Sequence, residues 1–345
     1  MKKYLLPEGK NSYKANLHSH SNLSDGHLTP EEIKKAYMEK GYSIIAYTDH
    51  DIMIDHSDLN EEGFLALRGF EMEVTEKKPS DAIGGRKTCH ACFIALDEDN
   101  FTQPMWCRDG RYLFGNAKNY ADKVIFDENE PDFSRVYSVE CVSDMLKKGR
   151  EKGFFVTYNH PVWSGENYEQ YAYYEGMHAM EMCNFGCYEV GHPEYNSKIY
   201  DDMLRAGKRI YCISTDDNHN SGGERWAHDS FGAFTVIKAD RLEYREITKA
   251  LENGDFYASM GPEIHELYLE DNELHIKCSA AKRICLNVGR VKFAKAKCAK
   301  DGEYLTEATF TIDKDNDIYF RLDIFDEYGR AANTNAYFCD EVFGD

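Results

Sequence analysis

Histidines and carboxylates punctuate the ends of predicted strands in this chain, and that arrangement restricts the fold more than any other feature. His18 and His20 come first, followed by Asp25, His50, Glu71, His90, His160, Asp217 and His219. Six histidines, two aspartates and one glutamate are too many ligands for a single ion. Imidazole together with carboxylate suits Zn, Mn or Fe, and a bridging carboxylate can hold two ions close together. The pattern reads as a multinuclear hydrolytic centre, which generates hydroxide at neutral pH and clamps the reacting oxygens.

The elements between these residues indicate the fold class. Residues 14–18 form a short strand that ends at His18. Thr29 then caps a helix, with Pro30 at its first position and Glu32 completing a capping box. Ile33, Ala36 and Tyr37 supply its apolar face, and Gly41 stops it. Residues 43–48 are a buried strand running into Asp49 and His50. Strand, helix and strand thus place candidate ligands at both strand ends, and a parallel β/α barrel carries its chemistry on that face. The rhythm continues with strands at 64–74 (Glu71), 88–96 (His90 near its start), 154–158, 177–182, 209–214 and 231–237. Helices are predicted at 138–151, 193–206 and 243–252.

Residues 97–137 interrupt this rhythm. They are polar, without clean periodicity, and read either as a lid over the site or as a surface excursion. After Gly261-Pro262 the character changes to short alternating strands with Asp-Asn and Asp-Gly turns, the pattern of a small β-sandwich. The expected organisation is a hydrolase barrel over 1–262 and a C-terminal sandwich over 263–345.

Composition narrows the partners. With 345 residues, one large α/β barrel and a small appendage fit the length. The net charge of −20 argues against duplex DNA or an anionic membrane surface as a general partner. The 11 cysteines are scattered without a disulfide framework, so free thiols and a cytoplasmic location are expected. The N-terminal lysines precede no apolar leader, and no stretch approaches the ~18 apolar residues of a membrane span.

The spacing of His18 and His20 directs both imidazoles to one side of a strand. In order along the chain come His-x-His, Asp25-Gly26, Thr48-Asp49-His50-Asp51, Gly69-Phe70-Glu71, His90, His160-Pro161 and Asp217-x-His219. This series resembles the PHP (polymerase and histidinol phosphatase) superfamily of metal-dependent phosphoesterases over residues 14–262. His160-Pro161-Val162-Trp163, Asp216-Asp217-x-His219 and Tyr257-Ala258-Ser259-Met260-Gly261-Pro262 resemble more narrowly the subgroup of the carbaryl and carbofuran hydrolases. The resemblance implies a distorted (β/α)7 barrel with two to three divalent ions. His18 and His20 would hold one ion, and Glu71 would bridge it to a second held also by His90 and His160. Asp25, His50 and His219 would serve the third or share it. Asp217 would complete the first ion's shell, with Asp216 as the alternative ligand and Asp217 then orienting His219. Asp49 and Glu73 read as supporting carboxylates.

The implied reaction is hydrolysis of a small phosphorylated molecule by activated hydroxide attacking phosphorus. Arg225, beside Trp226, is the candidate phosphate contact, with Arg86 and Arg108 as others. The same centre would also serve a carbamate, amide or carboxylic ester. A binding module with a degenerate barrel and a nuclease for short oligonucleotides are the remaining readings. The other seven histidines (27, 56, 178, 192, 228, 265 and 275) and Cys89, Cys183, Cys187 and Cys212 are expected in packing or surface roles.

Overall fold

A computed structural model describes residues 2–77, 85–221, 228–290 and 295–344. In chain order the elements are β1 (Lys2–Tyr4), β2 (Asn11–Asn16), α1 (Pro30–Met38), β3 (Ile44–Tyr47), β4 (Leu65–Thr75) and β5 (Thr88–Ala95). Then come α2 (Val139–Glu151), β6 (Phe154–Asn159), α3 (Tyr168–Tyr171), β7 (Ala179–Asn184), α4 (Phe185–Glu189), α5 (Ser197–Arg205) and β8 (Tyr211–Thr215). β9 (Phe234–Ala239), α6 (Tyr244–Asn253) and β10 (Phe256–Ser259) follow. The remainder is β11 (Ile264–Glu270), β12 (Glu273–Ala281), β13 (Arg283–Val288), β14 (Lys295–Cys298), β15 (Leu305–Thr311), β16 (Tyr319–Phe325), β17 (Ala331–Thr334), β18 (Tyr337–Phe338) and α7 (Cys339–Phe343). Among the described residues, no helix is long and apolar enough to cross a membrane.

Local chemistry accounts for the first helix as its sequence suggests. Glu32 N donates to Thr29 Oγ1 at 3.2 Å, and Thr29 N donates back to Glu32 Oε2 at 2.9 Å. Ile33 and Tyr37 are its buried face, and Gly41 turns the chain away at φ +77°.

The fold is mixed α/β, with a large fourteen-stranded sheet and a separate four-stranded one. β2–β3, β3–β4, β6–β7 and β7–β8 pair in parallel. β5, in contrast, runs antiparallel to both β4 and β6, and β9 runs antiparallel to β2. This departs from an all-parallel arrangement and explains one position that looked irregular. Because β5 is reversed, its first residues reach the rim where its neighbours end, so His90 enters from a strand start. Just past β2 and β8, an isolated bridge joins Ser19 to Asn218. His20 N donates to Asn218 O and Asp217 N to His18 O, both at 3.0 Å. The outermost ligand candidates in sequence thereby become neighbours.

β6 and β7 are buried at every position, as strands covered on both faces must be. β11 and β12 alternate between buried and more exposed residues. Their Leu267, Leu269, Leu274 and Ile276 share an apolar cluster with Ile284, Leu286, Leu322 and Ile324 of the large sheet. β1 also pairs with β11, and β17 pairs with β10. Arg321, fully buried, donates from Nε and Nη2 to Asp201 at 2.8 Å and also contacts Asp323, tying α5 to β16. All 11 cysteines are free, and burial raises the thiols of Cys89, Cys183, Cys187 and Cys212 above their ordinary value.

Segment 97–137 is docked on the rim. Asn116 N donates to Ser24 O at 2.7 Å, and Asn116 Nδ2 donates to Asn22 O at 3.1 Å. Gln103 Nε2 donates to Asp51 O at 2.8 Å, and Arg135 pairs with the Asp51 carboxylate.

Candidate metal centre

The segments described above bring all nine candidate ligands together. Glu71 sits where β4 changes partner, just after its pairing with β3 ends at Arg68 and within its pairing with β5. Its carboxylate is buried, and five imidazoles surround it. Oε1 lies 3.2 Å from His18 Nε2, 3.2 Å from His90 Nδ1 and 3.4 Å from His160 Nε2. Oε2 lies 3.3 Å from His20 Nε2 and 3.2 Å from His50 Nδ1. On one side Asp217 Oδ1 stands 3.1 Å from both His18 Nε2 and His20 Nε2. On the other, Asp25 Oδ2 stands 3.3 Å from His219 Nε2 and 3.8 Å from His50 Nε2.

The donor set fits divalent ions. Among the described residues, four groups place their ligand atoms within 4.8 Å of one another: His18, His20 and Asp217; His18, Glu71 and His160; His50, Glu71 and His90; and His20, Asp25, His50 and His219. His20 Nδ1 is buried without a hydrogen-bond partner, a costly state for a polar atom that a cation would relieve. Nitrogen and oxygen donors alone are the chemistry of Zn, Mn and Fe sites.

Ring orientation is set from behind. His18 Nδ1 lies 2.7 Å from Glu181 Oε1, and a carboxylate oxygen accepts, so Nδ1 carries a proton and Nε2 is the atom left for an ion. Glu181 is fully buried and also accepts from Thr215 Oγ1 at 2.6 Å, His160 N at 2.8 Å and Asn184 Nδ2 at 2.9 Å. His219 Nδ1 likewise donates to Asp217 O at 3.0 Å, turning Nε2 towards Asp25. Glu181 escapes a motif search, yet a lone glutamate in the apolar run of β7 is itself a signal, because buried charges need partners.

Electrostatics follow from the crowding. Burial opposes charge on the His18 and His20 rings, yet Asp217 and Glu71 raise both pKa values well above the ordinary histidine range. Burial also works against ionised Glu71, but the surrounding histidines hold its carboxyl well below the usual carboxylate range. His50 goes the other way, lowered to about 3 by burial and by its neighbour His20. Protons on these rings and a cation between them would therefore compete for the same carboxylates.

The two adjacent aspartates take different roles in the geometry. Asp216 faces inward and accepts from Phe231 N, Gly232 N, Ala233 N and Tyr37 Oη at 2.7–3.0 Å. Burial raises its pKa to about 6. Asp217 turns the opposite way through a left-handed backbone, φ +52°, and joins the cluster. Asp51 and His160 also have positive φ, so backbone strain concentrates at this rim. Asp49 accepts from Ser21 N, Ser21 Oγ and Ser24 Oγ, shaping the loop that carries Asp25. Gly26 permits that loop, since a Cβ there would lie 2.3 Å from His20 O.

A cavity of about 440 Å³ opens over the cluster, with Phe114, Trp163 and Val190 in its lining. Phe114 comes from the 97–137 segment, which thus contributes a wall. Among the described lining residues there is no lysine or arginine. Arg108 pairs within its own segment, with Asp132 and the carbonyls of Glu128 and Glu130. Arg225 lies outside the described residues, as does Trp226.

Among solved structures, a two-domain protein from Bacteroides vulgatus described as containing a PHP-like metal-dependent phosphoesterase is 18% identical, with 94% of each chain covered and a TM-score of 0.41. A protein from Bifidobacterium adolescentis described as a metal-dependent phosphoesterase is 16% identical over 63% of this chain and 92% of its own, at 0.40. An amidohydrolase from Chromobacterium violaceum with bound sulfate and no metal is 16% identical over 70% and 96%, at 0.42. No curated protein matches in sequence. The PHP domain model matches residues 16–211, which carry the histidines and carboxylates from His18 to His160 around Glu71, and the chain therefore belongs to the PHP domain family.

Proposed function

We propose that this chain is a metal-dependent phosphoesterase of the cytoplasm, hydrolysing a small phosphorylated substrate with two to three divalent ions, Zn, Mn or Fe. The carrying observation is the Glu71 carboxylate within 3.4 Å of five histidine nitrogens, the setting of a bridging ligand. In this reading His18, His20 and Asp217 would hold the first ion, His90 and His160 the second, and Asp25, His50 and His219 the third. Glu71 would be shared by the first two. The proposal includes a barrel over 1–262, with the strands after 262 as a sandwich beside it.

Bound divalent ions would supply Lewis acidity towards the ester oxygens and activate water at neutral pH. The chain's own groups do the positioning. Glu181 holds a proton on His18 Nδ1, which leaves Nε2 for an ion, and accepts from the His160 backbone N–H. Glu194 accepts from Val162 N and Trp163 N, fixing the turn that follows His160. The Phe114 and Trp163 walls limit water over the reacting centre.

A carbamate, amide or carboxylic ester is the second reading, favoured by the absence of lysine and arginine among the described lining residues. Elemental analysis and phosphate release on Glu71→Ala test the proposal. Bound ions and turnover should both fall; full ion content with wild-type turnover would exclude Glu71 as a bridge.

A further inference from the structure

The cavity has a polar floor and an apolar mouth. Trp163, Phe114 and Val190 are 43%, 56% and 62% exposed, although large apolar side chains ordinarily withdraw from water. All three line the cavity over the histidine cluster. Trp163 packs edge-to-face on His90, with centroids 5.3 Å apart, and on His160 at 4.9 Å. Phe114 packs edge-to-face on His50 at 5.5 Å. The apolar surface is therefore continuous with the rings that surround Glu71, and a group lying on it is adjacent to the reacting centre.

These walls are built rather than incidental. The backbone N–H groups of Val162 and Trp163 are both held by the buried Glu194 carboxylate, at 3.1 and 2.7 Å. Behind Phe114, Gly115 is packed so closely that a Cβ would lie 2.4 Å from Ser24 O. The cavity, at about 440 Å³, is within the range of sites that enclose organic ligands rather than a bare anion.

We infer that the substrate is a phosphoester bearing an aromatic group, seated on Trp163 and Phe114 with Val190 at the outer edge. This rests on the phosphoesterase reading and adds the class of ester. Trp163 and Phe114 are then specificity-determining residues, acting through ring contact while the floor holds the phosphoryl group.

The test is equilibrium binding of phenylphosphonate and methylphosphonate to metal-loaded protein by calorimetry, with inorganic phosphate as reference. The wild type should bind the phenyl compound about tenfold or more tightly than the methyl one. Trp163→Ala and Phe114→Ala should each shrink that ratio, and Trp163→Phe should restore most of it. Phosphate release from benzyl phosphate against ethyl phosphate, whose leaving alcohols are of similar acidity, should show the same order. Equal binding of the two phosphonates, or a preference that survives both alanine variants, overturns the aromatic-ester inference while leaving the phosphoesterase reading intact. If neither phosphonate nor phosphate binds, the phosphoesterase reading fails and the inference with it.

Discussion

Glu181→Gln separates orientation of a ligand from stability of the fold. The wild-type carboxylate accepts four hydrogen bonds, two on each oxygen. A glutamine offers one acceptor oxygen and one NH2, so one pair of donors must face another donor. Placed towards the His160 backbone N–H and Asn184 Nδ2, the NH2 has no relief. The peptide N–H is fixed, and Asn184 Oδ1 is committed to Cys187 N. Placed towards His18 and Thr215, it finds relief: the Thr215 hydroxyl can rotate to accept, and His18 can move its proton from Nδ1 to Nε2. That tautomer puts hydrogen on the nitrogen facing Asp217 and Glu71. Replacing charge-assisted bonds by neutral ones should cost the fold about 1–3 kcal/mol. Ion affinity should fall by about 10–100-fold, the range for removal of such supporting partners. Competitive chelator titration gives the affinity, thermal unfolding of the metal-free protein gives the stability, and 15N histidine spectra report the His18 tautomer. A Glu181→Gln protein with wild-type affinity and an unchanged His18 tautomer would refute this reasoning.

The adjacent aspartates should respond oppositely. Asp216→Asn sets an NH2 against backbone donors in either orientation and should destabilise the metal-free protein by about 3 kcal/mol. Asp217→Asn should remove bound metal, whereas folded Asp216→Asn protein should keep it; a reversed pattern would exchange the two roles. His178 Nδ1 accepts from Val156 N at 3.0 Å, and burial, with Arg150 adding, lowers the His178 pKa to about 4. The folded state thus keeps the ring neutral, whereas the unfolded chain protonates near 6.5. This stability is complete above pH 6.5 and is lost as pH falls through about 4, a displacement worth about 3 kcal/mol. Urea unfolding should show wild type and His178→Ala converging over that window, and a gap independent of pH would contradict it.

Much of the centre is legible in the sequence because ligand chemistry is local. His-x-His, Asp-Gly and Asp-x-His announce themselves by type and spacing, and Thr29 to Glu32 specify their own helix start. Strand direction is not local. The buried run of β5 reads alike whichever way it points, so its reversal, and hence the entry of His90 from a strand start, appears only in three dimensions. Asp216 and Asp217 are the same residue type, and the backbone turn at φ +52° separates them. The pairing of β1 with β11 spans most of the chain and leaves no trace in either segment. Segment 97–137 reads as featureless because its contacts, such as Asn116 with Ser24, are with distant residues.

The most direct measurement is phosphate release from nucleotides, sugar phosphates and p-nitrophenyl phosphate with Mn, Zn or Fe added in turn, beside a His18→Ala/His20→Ala variant. Metal-dependent release that disappears in the variant is the predicted result. A blank panel from metal-loaded protein that does cleave carbamates or amides would contradict phosphoester hydrolysis and assign the same centre to carbonyl chemistry.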